Sequence, residues 1–237
     1  MTEAPGPVVE VTVGAPIELV WQSFRDPELI RLWMGWHYDG LAAEIGVMFG
    51  KDTQANEAEH TLQLRDGDRF ELSERDGGTV VRMVRAPYVA GTEWSDYYHE
   101  ITEGWLSFMQ QLKFMHEEHP AAERRTLFFA GTGAPDVSAT LASSIPTEVG
   151  HVYYAADRQR GLTLPDLGPG LLIMGSKPPG EGKSQGPQVD AMAILTTYGL
   201  ADEHFAGERD RWTSWWQSGY PDAAPAQSEG TDSPSAR

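Results

Sequence analysis

One stretch constrains this chain more than any other: Val8-Val9-Glu10-Val11-Thr12-Val13, then Gly14-Ala15-Pro16, then Ile17 to Phe24, then Asp26-Pro27-Glu28-Leu29-Ile30-Arg31-Leu32-Trp33. Val9, Val11 and Val13 alternate with Glu10 and Thr12, the period of a half-buried strand. Pro16 suits a first helical position, where a missing N–H costs nothing. Ile17, Val20, Trp21 and Phe24 then recur at i, i+3, i+4 and i+7, one apolar helix face. Asp26 suits an N-cap and Pro27 the first turn of a second short helix that Gly35 closes. A strand followed at once by two short helices says much about shape and little about chemistry.

Beyond Trp33 the pattern turns to strands. Trp36, Tyr38 and Leu41 to Phe49 are rich in aromatic and aliphatic residues and read as extended. Leu62 and Leu64 alternate up to Arg65-Asp66-Gly67-Asp68, and Phe70 and Leu72 alternate after it, a hairpin with Asp-Gly at its tip. Asp76-Gly77-Gly78 supplies a second turn before a strand from Thr79 to Arg85. From Trp94 to His119 the period changes: Trp94, Tyr98, Ile101, Trp105, Phe108, Leu112 and Met115 are spaced alternately 4 and 3, one long amphipathic helix with an aromatic face. Pro120 and Ala121-Ala122-Glu123-Arg124 read as its end and a linker.

Residues 125–220 repeat this order in weaker form. Gly133-Ala134-Pro135 matches Gly14-Ala15-Pro16, and Pro146 matches Pro27, both 119 residues on. Trp212-Thr213-Ser214-Trp215-Trp216 aligns with Trp105-Leu106-Ser107-Phe108-Met109 at a shorter spacing of 107. Strand-like segments lie between, at Val152 to Ala155, Leu171 to Met174 and Ala191 to Tyr198. Either the chain is a tandem duplication or the matching turns and aromatic helices arose independently. In the first helix of the second copy Ser138, Thr140 and Ser144 replace much of the apolar stripe, which marks that copy as degenerate. Ser176 to Pro187 reads as a mobile loop, and Pro221 to Arg237 as a disordered tail.

Composition excludes several functions. The 237 residues carry a formal net charge of -17 and no cysteine. The charge opposes binding to phosphate backbones and anionic lipid surfaces, and the missing thiols exclude disulfides, thiolate nucleophiles and zinc ribbons. No run is long and apolar enough to span a membrane, and the N-terminus lacks secretory character. The expectation is a cytoplasmic protein of 7–120 and 125–220 as two domains, with 221–237 as a tail.

Ala15-Pro16, Val20-Trp21, Asp26-Pro27-Glu28-Leu29-Ile30, Leu32-Trp33, Gly35, Gly104-Trp105 and Leu112-Lys113 together resemble the START-like superfamily, also called SRPBCC. Within it the chain is most similar to bacterial homologues of the activator of heat-shock-protein ATPase. The resemblance covers residues 8–119 well and 125–220 in outline. It implies an α+β helix-grip fold, a curved antiparallel sheet around a long C-terminal helix with a cavity between them, here in two tandem copies. Members bind lipids, polyketides, hormones or other apolar molecules, and some are cyclases.

Candidate chemistry follows from the aromatic helix face. Tyr98, Trp105 and Met109 either wall such a cavity or fill a dry core. If they wall it, Trp33, Trp36, Tyr38, Met48, Met83, Arg85 and Tyr88 complete the lining, with Tyr38, Arg85 and Tyr98 as polar anchors. Gly131-Thr132-Gly133 lacks the third glycine of a dinucleotide turn, and Gly182-Lys183-Ser184 lacks the first glycine of a phosphate loop. His116 and His119 stand three apart at a helix end without further converging ligands. No cofactor or metal is expected, and neither a serine triad nor paired carboxylates is evident. Three functions are consistent with this. The first is non-catalytic binding of a small hydrophobic molecule, the second a polyketide cyclase or aromatase working through Tyr38, Arg85 and Tyr98. The third is docking on a chaperone or other protein partner through exposed Trp215 and Trp216.

Overall fold

The computed structural model describes residues 8–87, 98–118, 122–168, 170–177 and 187–228. The chain divides into two compact units, residues 1–35 with 40–121 and residues 36–39 with 122–237. Trp36–Asp39 is therefore set in the second unit, although the residues flanking it in sequence belong to the first.

The first unit opens with strand β1 (Val8–Val13), whose side chains alternate between exposed and buried as the valine spacing demands. Helix α1 (Ile17–Gln22) buries Val20 and Trp21, and Pro16 occupies its N-cap position rather than its first turn. Helix α2 (Pro27–Arg31) is capped by Asp26, whose Oδ1 accepts from the Glu28 N–H at 2.9 Å. Helix α3 (Leu41–Met48) follows, then strands β2 (Gln54–Asn56), β3 (Thr61–Gln63), β4 (Arg69–Arg75) and β5 (Gly78–Val84), and helix α4 (Tyr98–Glu118). The sheet is antiparallel in the order β1-β5-β4-β3-β2, and α4 packs against β1. Asp76 and Gly77 both have positive φ, 50° and 82°, the geometry that a two-residue hairpin turn between β4 and β5 requires.

The second unit repeats the plan. Strand β6 (Arg124–Gly133), helix α5 (Val137–Ala142), strands β7 (Val152–Ala155), β8 (Gln159–Leu164), β9 (Gly170–Ser176) and β10 (Val189–Tyr198), and helix α6 (Asp202–Gly219) follow in turn. The sheet order is β6-β10-β9-β8-β7, antiparallel throughout. In both units the first strand pairs with the last and the rest meander away from them, and a long helix follows the sheet. That is the helix-grip plan twice over, the second copy carrying one short α-helix among the described residues where the first carries three.

Several sequence expectations are corrected. Leu41 to Phe49 is not a strand: Leu41 and Ile45 are buried one turn apart, while Ala42, Ala43 and Glu44 between them are exposed helix formers. The linker expected at Glu123-Arg124 ends sooner, because β6 begins at Arg124 and that side chain is only 1% exposed. β8 went unread because its residues, Gln-Arg-Gly-Leu-Thr-Leu, alternate poorly. Within the expected tail, residues 221–228 are described and held to the second unit: Gln227 exchanges two backbone hydrogen bonds with Phe128, at 2.9 and 3.0 Å, along the edge of β6 away from β10. Trp215 and Trp216 are buried, not exposed, and belong to the core of the second unit. Their indole N–H groups donate to the carbonyls of Leu141 and Ala130, each at 3.2 Å, so the polar edges that would have wetted a surface are satisfied inside.

Candidate functional site

In the first unit the space between sheet and α4 is occupied by aromatic side chains from β4, α4 and the segments that follow α1, α2 and α3. Phe70 of β4 meets Phe24 at a ring-centroid distance of 4.8 Å and Trp105 of α4 at 5.2 Å. Phe49, just past α3, stands 6.0 Å from Trp33 and 6.4 Å from Trp105, both edge to face. The Trp33 indole N–H donates to the Ser23 carbonyl at 2.8 Å. Gln111 of α4 donates to the carbonyls of Trp33 and Gly35 at 3.2 and 3.1 Å, which ties the end of α2 to the long helix.

Trp33, Met83 and Met109 have no accessible surface and Trp105 has 2%. A side chain facing a void wide enough for water would be touched by that water, so these four are packed against other atoms rather than against open space. Met48 and Phe49 are half-buried, as are Ile101, Thr102 and Phe108 of α4. The aromatic cluster is thus closed at its centre and less covered toward the start of α4.

A charged group lies at that same end. Arg85 directly follows β5, and its Nε stands 2.8 Å from Asp68 Oδ2, with side chains 6% and 1% exposed. The contact is an ion pair not aligned as a hydrogen bond. Asp68 Oδ1 also accepts from the Ala86 N–H at 2.7 Å, and Arg85 donates from a terminal guanidinium nitrogen to Thr102 Oγ1 on α4 at 2.9 Å. Burial pushes the Asp68 carboxyl above its ordinary value, against the opposing pull of the Ala86 N–H and the Arg85 guanidinium. The pair sits between the sheet and the helix with most of its water removed.

The remaining lining candidates fall elsewhere. Trp36 and Tyr38 lie in the second unit, their rings 6.3 Å apart, where Trp36 stacks on Phe128 of β6 at 3.8 Å and donates to Gln227 Oε1 at 3.2 Å. Tyr98 is the first residue of α4, and its side chain, like the whole of Tyr88, lies outside the described residues, as do Trp94 and the Gly182-Lys183-Ser184 segment. Of the ten, Trp33 and Trp105 meet through Phe49 in the first unit, Met83 stands opposite Phe70 on β5, and Arg85 reaches α4 through Thr102, while Met109 is buried on α4 and Met48 half-buried at the end of α3. Sequence reasoning missed Asp68, Thr102, Phe49 and Phe70. Asp68 was within reach: the Asp76-Gly77 turn sets a register in which Arg69 faces Val84, so the residue before the one strand faces the residue after the other.

The corresponding space in the second unit is solid. Trp212, Trp215 and Trp216 of α6 pack with Phe129, Leu141, Leu195 and Tyr220. Gly131 and Gly133 serve this packing and not a nucleotide. A Cβ on either would stand 2.7 or 2.9 Å from the Tyr220 ring, closer than atoms pack. His116 of α4 is spent locally as well, its Nε2 lying 2.9 Å from Ser23 Oγ, and burial lowers its pKa. Among the described residues no cluster of three metal-ligating side chains forms, and no helix is long and apolar enough to cross a membrane.

No family model and no curated protein matches this chain. Among solved structures it is similar to DynU16, a protein in the dynemicin biosynthetic locus, at 14% identity over 90% of this chain and 95% of that one, with a TM-score of 0.30. It is also similar to the di-domain ARO/CYC StfQ from the steffimycin biosynthetic pathway, at 12% identity over 90% and 95%, with a TM-score of 0.36. Overlap of that quality transfers no residue role.

Proposed function

We propose that this chain is a START-like protein that binds a small apolar molecule, without catalysis, in the first unit between its sheet and α4. The observation that carries the reading is the placement of one buried, charge-paired guanidinium at the less covered end of an otherwise aromatic enclosure. Apolar walls with very few oriented polar groups are the ordinary composition of a small-molecule site. Arg85 is tied on both sides, by Asp68 and by Thr102, and so it orients a ligand oxygen rather than exchanging protons with it. Because the central side chains are closed on each other, occupancy requires Phe49 or Trp105 to swing aside, and the ligand replaces their contacts.

The test is native mass spectrometry of the full chain purified from its own host. A co-purifying apolar molecule is expected, lost from Met48→Trp, whose larger side chain stands beside Phe49, with the circular dichroism spectrum unchanged. Protein free of any adduct, or an adduct that Met48→Trp retains, would sink the reading. Turnover of a polyketide-like substrate that depends on Arg85 would replace it with the cyclase alternative.

A further inference from the structure

A concavity lies entirely within the second unit, in the groove between the start of β6 and the first two turns of α6. It encloses about 340 Å³, and Asp202, Phe205, Ala206 and Arg209 form its helical wall at i, i+3, i+4 and i+7. Arg125 of β6 faces them. Thr126, His37 and Ser228, at 1%, 4% and 2% exposed, are the buried polar residues of its lining. From these residues we propose that the groove binds a small planar organic carboxylate, independently of the ligand assigned to the first unit.

The two arginines carry the argument. Arg125 is three-quarters buried, and its guanidinium lies over the Phe205 ring, 5.5 Å from the centroid. Its orientation is therefore set before any ligand arrives. It already holds a carboxylate, that of Asp202, and Glu123 approaches to 3.9 Å. Those two acids are 88% and 76% exposed, and ion pairs of such exposed groups are weak and exchangeable. Asp202 thus occupies the position that a ligand carboxylate would take. Arg209 stands one helical turn beyond Phe205 and forms no ion pair among the described residues. A carboxylate held between the two guanidiniums gains a partner that Asp202 leaves unused, while the flat body of the molecule rests on Phe205. A volume of this size suits a molecule no larger than an aromatic acid, since small-molecule pockets start at roughly 300 Å³.

Calorimetric titration of the full chain at low salt, with benzoate and its neutral isostere benzamide as probes, tests this. Benzoate is expected to bind at least about tenfold more tightly than benzamide. Arg209→Gln should remove most of that difference, and Asp202→Asn, which frees Arg125 from its internal competitor, should tighten benzoate binding a few-fold. Inorganic phosphate should compete poorly because it cannot use Phe205. The proposal is overturned if benzoate shows no saturable binding or no advantage over benzamide. It also fails if Asp202→Asn weakens binding, or if phosphate displaces benzoate at equal concentration. Thermal melts of both variants verify that the fold is intact, and retention of any adduct in the first unit by Arg209→Gln separates this site from that one.

Discussion

The two units share one strand order and fill the space beneath the long helix in different ways. In the first, Phe24, Trp33, Phe49, Phe70 and Trp105 pack there on one another, and a buried Arg85–Asp68 pair stands at the less covered end. In the second, three tryptophans and Tyr220 fill it. At the edge where the first unit has Asp68 before β4 and Arg85 after β5, the second has Gly168 near the start of β9 and Gly199 after β10. Burying an ion pair costs several kcal/mol of lost hydration that its mutual attraction only partly returns, and the second unit is built without one there. The difference teaches that topology sets where an enclosure forms, and that side chains alone decide whether it is anchored or solid.

Removing one partner of the anchor should have the largest effect. Arg85→Ala leaves Asp68 buried beside no cation, with an expected loss of about 3–5 kcal/mol, read by urea denaturation with hydrogen exchange to show that protection falls most in β4 and β5. The double replacement Asp68→Ala with Arg85→Ala should cost less than the sum of the single changes, and additive losses would mean that the pair is not coupled. Trp36→Ala should come next, at roughly 2 kcal/mol from its burial and its stacking on Phe128. The telling readout is location: amide exchange should accelerate at Phe128 and Gln227, in the second unit, although Trp36 lies in the sequence of the first.

A matched pair of glycine replacements contrasts a glycine pressed against a ring in the second unit with one in open space on the first unit's long helix. Gly131→Ala drives a methyl to within 2.7 Å of the Tyr220 ring and should destabilise by about 1–3 kcal/mol, with partial rescue by Tyr220→Leu. Gly104→Ala, in α4, meets nothing nearer than the Phe108 ring at 3.9 Å and should stabilise by up to about 1 kcal/mol through helix propensity. Melting temperatures that move in the same direction would erase the distinction.

The smallest effect is a slope. His116 is half-buried against Ser23, and its folded pKa lies below the ordinary histidine value, with partial burial the main cause and Glu117 opposing it. The folded state then binds fewer protons than the unfolded state, so this contribution is complete above about pH 6.5 and declines as pH falls below that value. His116→Gln should flatten the part of the stability curve between neutral and mildly acidic pH, as seen in urea midpoints at a series of pH values. A slope identical to that of the parent would remove the role.

Local regularity made much of the fold readable. The valine alternation of β1, the Asp26 cap, the Asp-Gly turns and the alternating 4 and 3 spacing of α4 each express a backbone period that neighbouring residues determine among themselves. α3 was misread because a short apolar run does not choose between helix and strand until a partner surface selects one face. The lining of the first enclosure was only partly readable. The burial of Trp33, Met83, Trp105 and Met109 was within reach from the local patterns, whereas Arg85 falls just past the end of β5. Phe49 was not within reach, since it sits at an element end where periodicity stops, and Asp68 was signalled only by the register of the β4–β5 hairpin.

Trp36 marks the boundary most clearly. Its sequence position, beside a helix of the first unit, gave no sign that it would stack in the second, and Trp215 and Trp216 carried no mark of burial beyond their spacing. By itself the sequence determined the order of elements, the turn positions, the repeat of one plan and the absence of thiol chemistry, because each depends on residues close in the chain. Only the tertiary structure decided that Arg85 would reach Thr102 on α4, that Phe49 would meet Trp105, and that Tyr220 would lie on Gly131 and Gly133. Those outcomes depend on which distant side chains compete for the same volume, and excluded volume has no local signature.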